Sequence, residues 1–212
     1  DAAPYLKIMI DENLFPLLKA QVDGKELIIG PKKIKENSRN GNSYNLQPTK
    51  FKVITNSREI KELNVVSSGD FIIASPINIG KLEINMAGSG NILLEKKVEG
   101  NKLEINLASS GSVVASNIDL AGIECSLAGS GYIQIAGKAD RAEYNLAASG
   151  NIKAYECVTG KTECNIAGSG NIQTHTRNQL EANIVGSGNV YYKGNPTTSK
   201  SIIGSGKLKS AN

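Results

Sequence analysis

A Ser-Gly pair returns eight times along this chain, and no other feature limits its fold as strongly. The pairs are Ser68-Gly69, Ser89-Gly90, Ser110-Gly111, Ser130-Gly131, Ser149-Gly150, Ser169-Gly170, Ser187-Gly188 and Ser205-Gly206. From glycine to glycine the steps are 21, 21, 20, 19, 20, 18 and 18 residues. Self-similarity at a nearly fixed period marks a stacked array, in which one unit cannot bury its apolar side without a neighbour.

Aligned on the pair, the units resolve into columns. Two residues after each glycine stand Phe71, Ile92, Val113, Ile133, Ile152, Ile172, Val190 and Leu208. Four residues before it stand Val65, Met86, Leu107, Leu127, Leu146, Ile166, Ile184 and Ile202. Both columns are wholly apolar. Leu82, Ile84 and Met86 alternate with polar residues, the period of a strand with one face buried. Stacked units of this kind hydrogen-bond backbone to backbone at ~4.8 Å and lay like side chains over like. Eight coils span ~38 Å on that spacing. A leucine-rich repeat would need its Leu/Asn pattern, and propeller blades are longer and carry aromatic residues.

Composition agrees with a narrow aliphatic core, since aromatic residues are 5% and Trp is absent. The net charge of +4 is spread thinly, without the clustered basic face that nucleic acid requires. No run of 18 apolar residues offers a membrane-spanning helix. The chain begins at Asp1 and shows no signal peptide, as a mature or trimmed form would.

The fold expected is all-β: one right-handed parallel β-helix (solenoid) domain over residues 1–212, with coils of about 20 residues. Residues 1–60 form irregular turns and a cap, and 61–209 hold the eight repeats. Within the cap, Tyr5–Ile10 reads as a strand, and Asp11 as the N-cap of a short helix limited by Pro16. Val22–Ile29 reads as extended segments about an Asp-Gly turn, 31–49 as a polar loop, and Phe51–Thr55 as a strand.

The outward columns are the candidates for function. The repeated glycine suits a corner that needs positive φ, and its serine suits a hydroxyl that closes the corner by bonding nearby backbone. A hydroxyl row touching a ligand is the functional alternative. Asn64, Asn85, Asn106, Asn145, Asn165 and Asn183 form an amide column, with Ser126 and Ser201 at the equivalent positions. Stacked amides bond rung to rung, so this column reads as a stiffening ladder or as a strip for sugar. Seven glutamates, from Glu62 to Glu181, form a third column, relieved by Lys81, Lys102, Arg141 and Lys161 on the same face. No Asp-rich calcium turn accompanies them, and no metal site is expected.

Tyr132, where other units carry Asn, and the adjacent Tyr191 and Tyr192 are candidate contact residues for a glycan or protein partner. Cys125 and Cys164 share an inward column two coils apart, too far for a disulfide, and Cys157 lies on a different face. His175 is the only histidine and sits in a surface-like segment, so no Ser-His-Asp, Cys-His or histidine-metal site can be assembled around a cluster. The few aspartates of the repeats fall in scattered columns, without the paired carboxylates of a glycan-cleaving site. No catalytic residue and no cofactor is expected. Lys207 and Lys209 place charge beside the last coil, which discourages edge-to-edge stacking.

The repeated Asn-(Ile/Leu)-Ala-Gly-Ser-Gly-Asn-Ile resembles the head GIN domain family, the putative autotransporter adhesins of Bacteroidetes. Gly88–Ile92, Gly168–Ile172, the Asp11-Glu12-Asn13-Leu14 segment and Gly24–Ile29 carry the resemblance, which covers 5–209. It implies a β-helix-like solenoid, exported to the periplasm or the outer membrane and cell surface, with adhesion as its role. The reading that follows is a non-enzymatic envelope protein presenting a rigid face to glycan or to an extracellular or envelope protein. Tyr132, Tyr191, Tyr192, Asn85, Asn106, Asn145 and Asn165 are its candidate binding residues. A structural module assembling into homo-oligomers and a carbohydrate-active β-helix enzyme are the alternatives.

Overall fold

A computed structural model describes residues 3, 5–24, 26–32, 46–66 and 68–211. The strands are β1 (Leu6–Ile10), β2 (Leu18–Asp23), β3 (Glu26–Pro31), β4 (Phe51–Thr55), β5 (Glu62–Val65), β6 (Asp70–Ile73), β7 (Ile77–Met86) and β8 (Asn91–Leu94). They continue as β9 (Val98–Leu107), β10 (Ser112–Leu127), β11 (Tyr132–Leu146), β12 (Asn151–Gly168), β13 (Asn171–Gly186), β14 (Asn189–Lys193), β15 (Thr197–Gly204) and β16 (Lys207–Ser210). From β4 onward every pairing is parallel, so the chain is a β-solenoid.

Each coil turns through three faces. The first follows the Ser-Gly corner and stacks β4, β6, β8, the opening residues of β10 to β13, β14 and β16. A short second face runs through Val98–Gly100, Ile118–Leu120 and Gly137–Ala139. The third leads back to the next Ser-Gly corner and stacks β5, the later residues of β7 and β9 to β13, and β15. The bends shift the register of the ladder without ending the strand, so β10 to β13 run as 15 to 18 continuous residues.

The two apolar columns pair in register coil after coil, as their alignment predicts. Leu82, Ile84, Ile92, Leu103, Ile105, Ile133, Ile152 and Ile172 are fully buried. Each such side chain contributes roughly 1.5–3 kcal/mol. Tyr144 stands between Cys125 and Cys164 in one inward column, and Cys157 is buried beside it. Burial pushes the Cys125 and Cys164 thiols and the Tyr144 phenol well up. All three cysteines are free and behave as small apolar side chains.

The first sixty residues depart from the sequence reading at one point. The helix is a single 3-10 turn, Phe15–Leu17, capped by Leu14 without a side-chain bond. The Asp11 carboxylate is engaged elsewhere, accepting from the Thr49 N–H at 2.6 Å and the Thr49 hydroxyl at 2.7 Å. Those bonds hold its carboxyl below the usual range. β2 and β3 form the expected hairpin about Gly24, whose φ is 60°. Most of the polar segment read as a loop, residues 33–45, lies outside the described residues. Phe51–Thr55 is a strand of the parallel stack, covered by β1 running antiparallel to it.

The Ser-Gly corner is built differently from expectation. None of its eight glycines has positive φ. They are required by close stacking instead: a Cβ on Gly131 would lie 2.1 Å from the Gly111 carbonyl oxygen, and one on Gly90 1.9 Å from that of Gly69. Positive φ falls on the residue before the serine, at Gly186 (125°) and Gly204 (120°).

Candidate functional site

The outward side of the Ser-Gly corner carries the most regular chemistry. Backbone closes it: the Ser169 and Gly170 N–H groups donate to the Ala148 carbonyl at 3.1 and 3.0 Å, and Ser187 and Gly188 do the same to Gly168. All eight serines of the pairs are exposed, and none of their hydroxyls bonds to a described residue. The expected hydroxyl-to-backbone closure is therefore absent, because the tight glycine approach already lets the main chain satisfy itself. Beside the serines runs an exposed apolar row of Val66, Ala87, Ala108, Ala128, Ala147, Ala167, Val185 and Ile203.

Two amide ladders flank this corner. On the third face Asn85 donates to Asn64 at 3.0 Å and Asn106 to Asn85 at 2.9 Å. Farther along, Asn165 donates to Asn145 at 2.9 Å and Asn183 to Asn165 at 3.0 Å. Each asparagine also donates to the glutamate two residues before it, as Asn145 does to Glu143 at 2.9 Å. Asn85 and Asn165 are thus engaged at both the amide hydrogens and the carbonyl. On the first face a second ladder joins Asp70, Asn91 and Ser112, then Asn151, Asn171 and Asn189. The sequence shows these residues as the ones following each glycine, but only their spacing in space reveals the bonds.

Both ladders break at the same coil, at Ser126 on one side and Tyr132 on the other. Ser126 is too short to reach its neighbours. The Asn106 carbonyl and one Asn145 amide hydrogen are left without a ladder partner. Around Ser126 lies a shallow hollow of about 170 Å³, floored by Leu107, Leu127 and the adjacent alanines. Tyr132 is 37% exposed, and the Lys153 ammonium sits 4.5 Å from its ring centroid.

The sequence-selected residues therefore separate. Asn106, Asn145 and Tyr132 gather at the double break. Tyr191 faces outward on the first face, with the Lys209 ammonium 5.5 Å from its ring centroid. Tyr192 pairs with Thr174, on the inward side, and packs against the core, which removes it from the candidate surface. His175 is half-buried rather than fully solvated, and its carbonyl accepts from the buried Thr159 hydroxyl at 3.1 Å.

The charge columns form a lattice only in the first half of the rod. Lys81 reaches Glu83 and Glu104, both at 3.0 Å, and Lys102 reaches Glu124 at 2.7 Å. The Asn85 amide and then the Lys81 ammonium hold the Glu83 carboxyl below its usual range. Arg141 and Lys161 form no such pairs with described residues.

A family model described as "Putative auto-transporter adhesin, head GIN domain" matches residues 1–99 and again 92–196. The chain is 52% identical to a putative lipid binding protein of Parabacteroides distasonis, with a TM-score of 0.91 over 100% of this chain and 86% of that one. A putative adhesin of Parabacteroides merdae is 33% identical, with a TM-score of 0.82 over 99% and 84%. A second Parabacteroides distasonis protein, also a putative adhesin, is 29% identical, with a TM-score of 0.83 over 100% and 85%. No protein of curated function matches the chain.

Proposed function

Since the chain belongs to the head GIN domain family of putative auto-transporter adhesins, we propose that it is a non-enzymatic adhesive rod of the cell envelope. It presents the Ser-Gly corner to a glycan or to an extracellular protein. One observation carries this reading: eight exposed serine hydroxyls recur coil after coil without a partner in the described protein. A row of solvent-facing donors and acceptors on a rigid backbone costs little ordering on binding, which favours recognition of an extended partner. The double break at Ser126 and Tyr132 gives that otherwise uniform surface a defined point of attachment. Export to the periplasm or cell surface belongs to the same proposal. Among the described residues no helix is long and apolar enough to cross a membrane.

The experiment is a glycan and matrix-protein array, with release of cleavage products measured on the same polysaccharides. Saturable binding without product is expected, with loss of binding in Ser130→Lys and Tyr132→Ala at unchanged melting temperature. Product release would overturn the non-enzymatic reading. Binding that ignores both variants would move the site off this corner.

A second reading, contact with lipid, is favoured by the apolar row ending on Val185 and Ile203, 55% and 69% exposed. The relative described as a putative lipid binding protein supports it. Co-sedimentation with liposomes, lost in Ile203→Asp, is the expected result under that reading.

A further inference from the structure

The corner between the second and third faces, across the third face from the serine row, holds a cleft of about 270 Å³. It arises from unequal coil lengths. Ala139 pairs with Thr159 and Arg141 with Lys161, so Asp140 lies over Gly160. In the next coil Thr159 pairs with Thr176 and Lys161 with Gln179, so Gly160 faces two residues, Arg177 and Asn178. The coil in the middle contributes no side chain at the bend itself, where it has Gly160, and the coils on either side contribute an acid and a bulged Arg-Asn pair.

Asp140 and Arg177 are thus two coils apart, ~9–10 Å between backbones. They face each other across the glycine floor without bridging it. Asp140, Arg177 and Asn178 are exposed, and none makes an ion pair or side-chain hydrogen bond with a described residue. The other charges of the cleft are already matched, with Lys138 3.1 Å from Asp119. Half-buried Val158 adds an aliphatic wall.

We propose that this cleft binds one pyranose ring of a neutral glycan. Its width takes a single ring with a hydrogen bond at either side. The Asp140 carboxylate accepts from vicinal hydroxyls, the Arg177 guanidinium and Asn178 amide donate to the opposite hydroxyls, and Val158 meets the ring's C–H face. The charges sum to zero, so the cleft favours a neutral sugar over an acidic one. At this volume it lies just below the range for drug-sized ligands, as suits one ring. The site is independent of the serine row. It rests on the adhesive reading only for its ligand class.

The test is a titration of the whole 15N-labelled chain with the methyl glycosides of glucose, galactose, mannose and N-acetylglucosamine, and with methyl glucuronide, followed by amide shifts. Saturable shifts at Gly160 and Asn178 with at least one neutral glycoside are expected. Asp140→Ala and Arg177→Ala should each weaken that glycoside about tenfold, the worth of one charge-assisted hydrogen bond. Absence of shifts at both amides with every neutral glycoside, or an affinity in both cleft variants equal to that of the unsubstituted chain, overturns the proposal. A stronger response to the glucuronide than to any neutral sugar overturns its neutral selectivity. An array on which the intact chain binds nothing, beside a positive titration, would remove the adhesive reading and leave the cleft standing.

Discussion

Two corners of the same coil solve one geometric problem in opposite ways. At the Ser-Gly corner the main chain closes the bend in the later coils, with the Ser109 hydroxyl accepting from the Gly111 N–H in an earlier one, and the glycine has room for nothing larger than hydrogen. At the Gly160 corner coil lengths differ, and side chains complete the closure from within. There the Thr159 and Thr162 hydroxyls lie 2.6 Å apart, and Thr162 and Thr176 2.7 Å apart, all buried. The first corner is invariant because backbone packing tolerates no change, and its outward side chains are therefore free for contact. The second tolerates insertion, and insertion makes a cleft. Uniformity and individuality in this rod come from which atoms satisfy the bend.

The sharpest way to break this contrast is a pair of glycine substitutions. Gly131→Ala would set a Cβ 2.1 Å from a backbone oxygen, whereas at Gly122 the nearest atom is 4.0 Å away. The first should cost about 3 kcal/mol or more and the second less than about 0.5 kcal/mol in denaturant unfolding. Equal effects would mean that close stacking is not what selects glycine.

The interior near the second corner has a pH signature. Burial pushes the Cys157 thiol from an ordinary 9 up to about 11. A raised pKa in the folded state means that its stabilising share is intact below the unfolded value and is lost as pH climbs through the folded one. Stability should therefore fall between pH 9 and pH 11, with the buried Cys125 and Cys164 thiols adding to the slope, and Cys157→Ala should remove about 3 kcal/mol of that fall. A slope left unchanged by the substitution would assign all of it to the other groups.

Thr162→Val removes the centre of the hydroxyl chain and leaves Thr159 and Thr176 short of a partner. We expect a loss of about 2 kcal/mol by chemical unfolding, against no measurable change for Ser130→Ala at the invariant corner. Ser126→Asn should do the reverse. It restores the missing ladder rung, stabilises by about 1 kcal/mol, and fills the hollow that the proposed attachment point uses. Unchanged binding in that variant would detach the ladder break from adhesion. A small effect is expected for Lys102→Gln, less than about 1 kcal/mol and fading with added salt, since the pair it breaks is half-exposed.

Legibility varied with the kind of contact. Phe71 through Leu208 and Val65 through Ile202 were readable as inward columns because stacking forces like residues into register. The Asn64-to-Asn183 ladder was readable for the same reason. The second ladder was not, because Asp70 and Ser112 disguise an asparagine column. The alternation placed one of Tyr191 and Tyr192 outward, and counting by two from inward Val190 singles out Tyr192 as the one that meets the core. The end of the rod was only partly readable. Lys207 and Lys209 were recognised as edge charges, but Lys200 and Thr198 stand in the inward columns of Ala182 and Leu180, so polar side chains cover the last coil of the core directly.

The sequence alone determined the coil, its period, its register and the identity of its two apolar columns, because a repeat that pairs with itself leaves backbone hydrogen bonding one consistent solution. The tertiary structure alone decided which hydroxyls remain free, where the ladders open and where a cleft forms. Those outcomes turn on ångström differences between neighbouring coils: a serine one carbon too short at 126, a residue too many at 177–178, a glycine with an oxygen 2.1 Å from where its Cβ would be. Such distances belong to the stack and to no single coil's sequence.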